Sequence, residues 1–175
     1  LPLLSLLGQR WVRSPRVAWA LWATAIGAGI TLRSLLWQRY GLEAGNAVAG
    51  YHPHLYYATW CRADEFLPGV GVAMLQHWHP AAWQRLMTRG RALLAGGLAA
   101  VGAMLWGART AYYIDGYGYG YFMTGFGYSL IALAFGVLLL AALSPTSPLY
   151  RLRVPGAAAL AAWSYAIYLS HKAIA

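Results

Sequence analysis

Tyr56-Tyr57-Ala58-Thr59-Trp60-Cys61-Arg62-Ala63-Asp64-Glu65-Phe66-Leu67-Pro68-Gly69 lies between a polar loop and an apolar run. The chain has only four acidic residues, and two of them, Asp64 and Glu65, stand here beside Arg62. Keeping charge at the mouth of a membrane helix is expensive, because the groups lose water there. Two readings account for it. Acids at the start of a helix satisfy free N–H groups and favour the positive end of the helix dipole. Alternatively, the same charges cap the helix and line a polar cavity as well.

The surroundings of the stretch say which solvent the chain uses. Hydrophobic residues make up 60% of it and charged residues 10%, against about 45–50% and about 25% in a soluble domain. So few charges cannot cover a water-facing surface, and lipid must solvate much of the chain. The net charge is +9, yet the arginines fall in short loops between apolar runs. That pattern belongs to membrane orientation rather than to a phosphate-binding groove, and nucleic acid is not an expected partner. Cys61 is the only cysteine. It can form no internal disulfide and reads as a small apolar filler.

Five apolar runs, at about 17–37, 65–79, 92–113, 122–143 and 155–175, predict an all-α fold: a polytopic transmembrane helical bundle of about five spans in one membrane domain covering 1–175. The first run has the roughly twenty residues needed to cross ~30 Å of hydrocarbon. The second is short. Pro68 falls in its first turn, where a missing N–H costs little, and a tilted or partly re-entrant helix is expected. Gly27 and Gly29, Gly69 and Gly71, and Gly96, Gly97 and Gly102 offer small faces for helix contact. Ser144-Pro145-Thr146-Ser147-Pro148 is a breaker. The chain starts at Leu1 without a signal-peptide pattern and ends inside an apolar run, so it reads as a fragment of a larger membrane domain, truncated at both ends.

Orientation follows from the basic residues. Arg10, Arg13, Arg16, Arg85, Arg89, Arg91, Arg151 and Arg153 fall on alternate loops, with only Arg39, Arg62 and Arg109 on the other side. The arginine-rich loops are therefore expected in the cytoplasm, in an inner or plasma membrane. Tyr117-Gly118-Tyr119-Gly120-Tyr121 then faces outward, as an interfacial aromatic belt on a tight turn or as sugar-stacking rings.

This orientation brings polar groups to one level. Arg33 lies near the outer end of the first span, where it needs a helix end, a snorkelling path or an acidic partner. Arg62, Asp64 and Glu65, then Arg109 and Asp115, then His171 and Lys172 share that level, and a single polar cavity open to the outside is expected. Ser164, Tyr168 and His171 are four and three residues apart and form one helical stripe, suited to packing or to lining a site. His52-x-His54 and His77-x-His79 lack further ligands at a recognisable spacing, so no metal is expected.

Two motifs carry a resemblance. Tyr57-x-Thr59-x-x-Arg62-x-Asp64, followed by Gly69, resembles the central signature of the acyltransferase 3 family, integral-membrane enzymes that acylate sugars and other acceptors. Trp163-Ser164-Tyr165-Ala166-Ile167-Tyr168-Leu169-Ser170-His171 is similar to the family's late Ser-Tyr-x-x-Tyr-Leu-x-His segment. The resemblance implies an O-acyltransferase that moves an acyl group from a cytoplasmic donor to a hydroxyl of a glycan or similar acceptor at the outer face. Acyl-CoA would be a co-substrate, with no bound cofactor. Arg33, Tyr57, Thr59, Arg62, Asp64, Ser164, Tyr165, Tyr168 and His171 become candidate substrate-binding residues, and Arg62, Asp64 and His171 supporting catalytic candidates.

Such chemistry needs a base for the hydroxyl proton, donors for the tetrahedral oxyanion, and both substrates held together. The resemblance implies a principal catalytic His in an early helix upstream of Leu1. His171 is therefore not assigned as the base, and the fragment is expected to need the missing N-terminal helices for activity. Arg85 and Arg89 lie one helical turn apart with Arg91 and Trp83 close by, and are candidates for the phosphates and adenine of coenzyme A. A transporter or flippase, with a charged cavity between helices, and a non-catalytic assembly subunit are the rival readings.

Overall fold

The computed structural model describes residues 14–41, 50–114, 118–152, 155–156, 158–160 and 163–164. Extended Ser14 and then Pro15 open α1 (Pro15–Tyr40). A proline costs nothing there, because the first helical N–H has no partner in any case. The chain then passes through a π-helical turn (His52–Tyr56) and two 3₁₀ turns (Thr59–Cys61 and Ala63–Phe66) before α2 (Leu67–Trp78) and α3 (Pro80–Met87). α4 (Gly90–Ala111) leads into a minimal antiparallel pair, β1 (Tyr113–Ile114) and β2 (Gly118–Tyr119), with Tyr113 opposite Tyr119. A π-helical turn (Met123–Gly127) runs into α5 (Tyr128–Leu143), and α6 (Pro148–Arg151) follows the proline-rich breaker.

Three helical stretches are long and apolar enough to cross a membrane: Pro15–Tyr40, Gly90–Ala111 and Met123–Leu143. They coincide with the expected first, third and fourth spans. The second expected span departs from the simple picture. α2 has 12 residues, a length of about 18 Å, which is too short to cross alone. Preceded by the 3₁₀ turn and followed by α3, it runs back along α1. Asp64, just before it, meets Arg33, and His79, just after it, accepts a hydrogen bond from Trp19 Nε1 at 3.0 Å. Most of the fifth expected span lies outside the described residues. Three of the five expected spans are thus matched by long apolar helices among the described residues.

Burial is inverted relative to a water-soluble protein. Arg33, Asp64, Thr124, Ser129, Ser144 and Ser147 are buried, whereas Leu21, Leu98, Leu105, Trp106 and Phe135 are exposed. A water-facing protein keeps large apolar side chains inside and charged ones out. The described helices carry the outer surface of a membrane protein.

The tyrosine-rich end holds the apolar cluster of Trp37, Tyr51, Leu55, Ala58 and Cys61. The described part of the Tyr/Gly turn folds into it. Tyr119 stacks on Tyr51 with centroids 3.5 Å apart, Trp37 Nε1 donates to the Tyr119 carbonyl at 2.6 Å, and Tyr121 meets Trp37 edge-on. Alternation with glycine has a local reason. Gly118 has φ +100°, and a Cβ on Gly120 would run into the Ala111 carbonyl.

Only some of the expected glycine contacts form. A Cβ on Gly97 would come within 2.6 Å of Leu138 on α5, and one on Gly71 within 3.1 Å of Trp22, while Gly27, Gly69, Gly96 and Gly102 face open space. Overpacking a close helix contact costs about 1–3 kcal/mol. Gly97→Leu should therefore lower the thermal midpoint of the detergent-solubilised protein, while Gly96→Leu, one residue away, should leave it near that of the parent.

Candidate functional site

Arg33 lies seven residues before the end of α1, about 10 Å along the axis. It is fully buried. Its Nε donates to the Gly125 carbonyl at 3.0 Å, and Nη1 donates to the Cys61 carbonyl and to Asp64 Oδ1, each at 2.6 Å. Nη2 donates to Asp64 Oδ2 at 2.9 Å and to Ser129 Oγ. A guanidinium has five N–H groups, so none is left for a ligand. Ser129 in turn donates to Asp64 Oδ2.

The Asp64 carboxylate is therefore a clamp, set in the first turn of the 3₁₀ helix Ala63–Phe66. Burial alone would push its pKa up, but the hydrogen bonds from Arg33 and Ser129 outweigh that and hold it below the usual carboxylate range. Gly29 makes room for it, since a Cβ there would sit 2.9 Å from Asp64 Cγ.

Glu65 is placed differently. It is half-buried, its Oε1 has no hydrogen-bond partner, and the nearest cation is Arg62 Nη1 at 3.9 Å. Burial pushes its carboxyl up, with Asp64 adding to the shift and Arg62 opposing it.

Arg62 turns away from the buried pair. Its guanidinium lies 4.9 Å from the ring centroids of both Tyr56 and Tyr128, and Nε donates to the Tyr56 carbonyl at 3.0 Å. Braced in this way, it lines a cavity of about 250 Å³ with Tyr56, Met104, Tyr112, Met123 and Tyr128. Behind the cavity runs a chain of hydroxyls. Tyr128 pairs with Tyr112 at 2.8 Å, Tyr51 donates to Tyr112 at 3.1 Å, and Tyr51 pairs with Thr124 at 3.0 Å. Burial raises the Tyr51 and Tyr112 phenols, so both remain neutral hydrogen-bonding groups. Burial raises the Cys61 thiol as well, which argues against a nucleophilic thiolate.

The expected single cavity is thus divided. Arg33 and Asp64 form a closed internal network, and Arg62 alone of the central motif lines the open space. Tyr57 and Thr59 are exposed on the turn and outside the cavity wall. Arg109 is exposed. Ser164 is described and exposed, whereas Tyr165, Tyr168, His171, Lys172 and Asp115 lie outside the described residues. At the opposite end of the bundle, Arg89 lines a second cleft with Arg91 and Arg151, and Arg85 is not on its wall.

The histidine pairs diverge. His52 bonds the Tyr119 hydroxyl at 2.8 Å, His54 stacks on Tyr40, and His79 accepts from Trp19. Among the described residues, no group of three His, Cys, Asp or Glu could hold a metal. Tyr51, Tyr112, Thr124 and Tyr128 are the site residues that sequence reasoning missed. They come from three separate segments, and although Thr124 and Tyr128 are one helical turn apart, nothing in the sequence ties that pair to Tyr51 and Tyr112. Comparison with protein-family models, with curated proteins and with solved structures finds no match for this chain.

Removing one partner of a buried ion pair leaves an uncompensated charge, at a cost of about 3–5 kcal/mol. Asp64→Ala should lower stability in detergent by that order, and the double change Arg33→Met with Asp64→Leu should recover part of it. Glu65 gives a prediction of opposite sign. A carboxyl whose folded-state pKa is raised loses stability as pH rises from its unfolded pKa through its folded one. Glu65→Gln should therefore raise the thermal midpoint at pH 7 and have little effect at pH 4, where both side chains are neutral.

Proposed function

We propose that this chain is part of a membrane O-acyltransferase that moves an acyl group from a cytoplasmic donor, acyl-CoA by chemistry, to a hydroxyl of a glycan or similar acceptor at the outer face. The observation that carries this reading is Arg62, held by two aromatic rings at the wall of a mostly apolar cavity. An apolar pocket of about 250 Å³ suits a small acyl group. A fixed guanidinium beside it suits the oxyanion that develops when a hydroxyl attacks an acyl carbonyl, and preorganised donors of this kind act most strongly where water is excluded. Tyr128, which touches both the cavity and Arg62, offers a second donor backed by the Tyr112–Tyr51–Thr124 hydroxyls.

Among the described residues no histidine lines this cavity, so the proton of the acceptor hydroxyl is not assigned to a base here. Arg33 and Asp64 serve the reaction only by holding the turn that carries Arg62.

The test uses the protein in its native membranes with a radiolabelled acyl donor and a glycan acceptor. Label should appear in the acceptor. Loss of one oxyanion donor costs about 10²–10³ in rate, so Arg62→Ala should reduce transfer by that order while leaving the amount of folded protein unchanged. Movement of the acceptor across the membrane without acylation would replace this reading with that of a transporter. Full transfer by Arg62→Ala would remove Arg62 from the chemistry.

A further inference from the structure

The end of the bundle opposite Arg62 holds a second built feature. The turn before α4 and the segment from the proline-rich breaker to α6 are fastened together. Ser144 Oγ donates to the Met87 carbonyl at 2.6 Å, Thr146 Oγ1 donates to the same carbonyl at 3.1 Å, and the Gly90 N–H donates to Thr146 Oγ1 at 2.9 Å. Ser147 caps α6 through the Leu149 N–H, and Ser144 and Ser147 are almost fully buried. Gly90 permits the approach, since any Cβ there would collide with Ser144.

This clamp brings together arginines that are far apart in the chain. Arg89 and Arg91 from one side and Arg151 from the other line a cleft of about 510 Å³, with Thr88 and Thr146 on its wall. A smaller cavity of about 220 Å³ adjoins it and shares Arg91, Thr146 and Arg151. The two ion pairs among the described residues are Arg33–Asp64 and Arg62–Glu65, both towards the other end of the bundle. The three arginines of the cleft have no acidic partner among the described residues. Orientation in a membrane requires basic residues on one side. It does not require three of them, from two segments, to converge on one hydrogen-bonded cleft.

We propose that the cleft between Thr88–Ala92 and Thr146–Arg151 is a binding site for a phosphate ester. Guanidinium groups match phosphate oxygens in a two-pronged geometry, and the hydrogen bonds are charge-assisted. The cleft lies at the start of α4, where the dipole adds a positive contribution to that of the arginines. The phosphate can belong to a phospholipid headgroup or to a soluble phosphorylated molecule. Exposed Tyr150 and Leu152 flank Arg151, an apolar surface beside the charge that suits the acyl chains of a phospholipid. The inference does not depend on acyl transfer.

The purified full chain in detergent is titrated with inorganic pyrophosphate by calorimetry. In parallel, it is placed in nanodiscs of phosphatidylcholine with and without phosphatidylglycerol, and retained lipid is read by native mass spectrometry. Saturable pyrophosphate binding, weakened about tenfold or more by Arg89→Ala or Arg151→Ala, identifies a soluble source. Selective retention of phosphatidylglycerol, lost in the same variants without pyrophosphate binding, identifies a lipid. Arg109→Ala removes the same charge away from the cleft and should change neither. Absence of both signals, or signals that Arg109→Ala reduces as much as Arg151→Ala does, would overturn the site.

Discussion

One guanidinium holds the architecture together. Arg33 projects from α1 into a region where two other segments have lost regular α-helical geometry: the 3₁₀ turns before α2 and the π-helical turn before α5. Irregular backbone near lipid is tolerated only where protein shields it and bonds its polar groups. Arg33 does this at the Cys61 and Gly125 carbonyls while pairing with Asp64 and Ser129. A lysine would offer fewer donors without the planar fork. The pair is thus a joint between three segments, and the position of everything carried on the 50–66 stretch follows from it.

The joint explains why two charged residues of one short motif have different surroundings. Asp64 is drawn inward to Arg33, and in a tight turn this leaves Arg62 on the other side, over Tyr56 and Tyr128. A cation over an aromatic face gains about 0.5–2 kcal/mol, enough to position the guanidinium without consuming all its N–H groups. Arg33 is saturated and Arg62 is not, and only an unsaturated group can meet a ligand. Glu65 belongs to the same compromise. A half-buried carboxyl with an unpartnered oxygen is unfavourable, and such local costs are commonly tolerated where function needs the group.

The spans were readable because hydrophobic length is a property of the sequence itself: α1, α4 and α5 fall where the apolar runs do. α2 falls where the short second run does, but its level beside α1 is set by Asp64 meeting Arg33, a contact no window contains. The charged stretch was readable as special, since two of four acids stand there. Its division into a buried clamp and a cavity wall was not, because that depends on Gly125 and Ser129 arriving from more than sixty residues away. The Tyr51–Tyr112–Tyr128 hydroxyls were hidden for the same reason. In a chain with 13 tyrosines, only proximity distinguishes those that bond each other from the rest. Gly96 and Gly97 make the point in miniature, adjacent in sequence and on different sides of a helix, one open and one against Leu138.

Charge is segregated along the long axis, and this constrains how the two proposed sites can relate. The basic cleft lies at the first turn of α4, and the Arg62 cavity touches the same helix at Met104 and Ala108. Fourteen residues separate Gly90 from Met104 along α4, about 21 Å. A soluble acyl carrier anchored by its phosphates in the cleft must therefore carry its acyl group on an arm of about that length, threaded between helices, to reach Arg62. A carrier with a shorter arm could occupy one site but not both. A phospholipid headgroup in the cleft carries no such requirement and would leave the donor to enter elsewhere. The nature of the phosphate in the cleft thus decides whether the two ends form one reaction path or two separate functions.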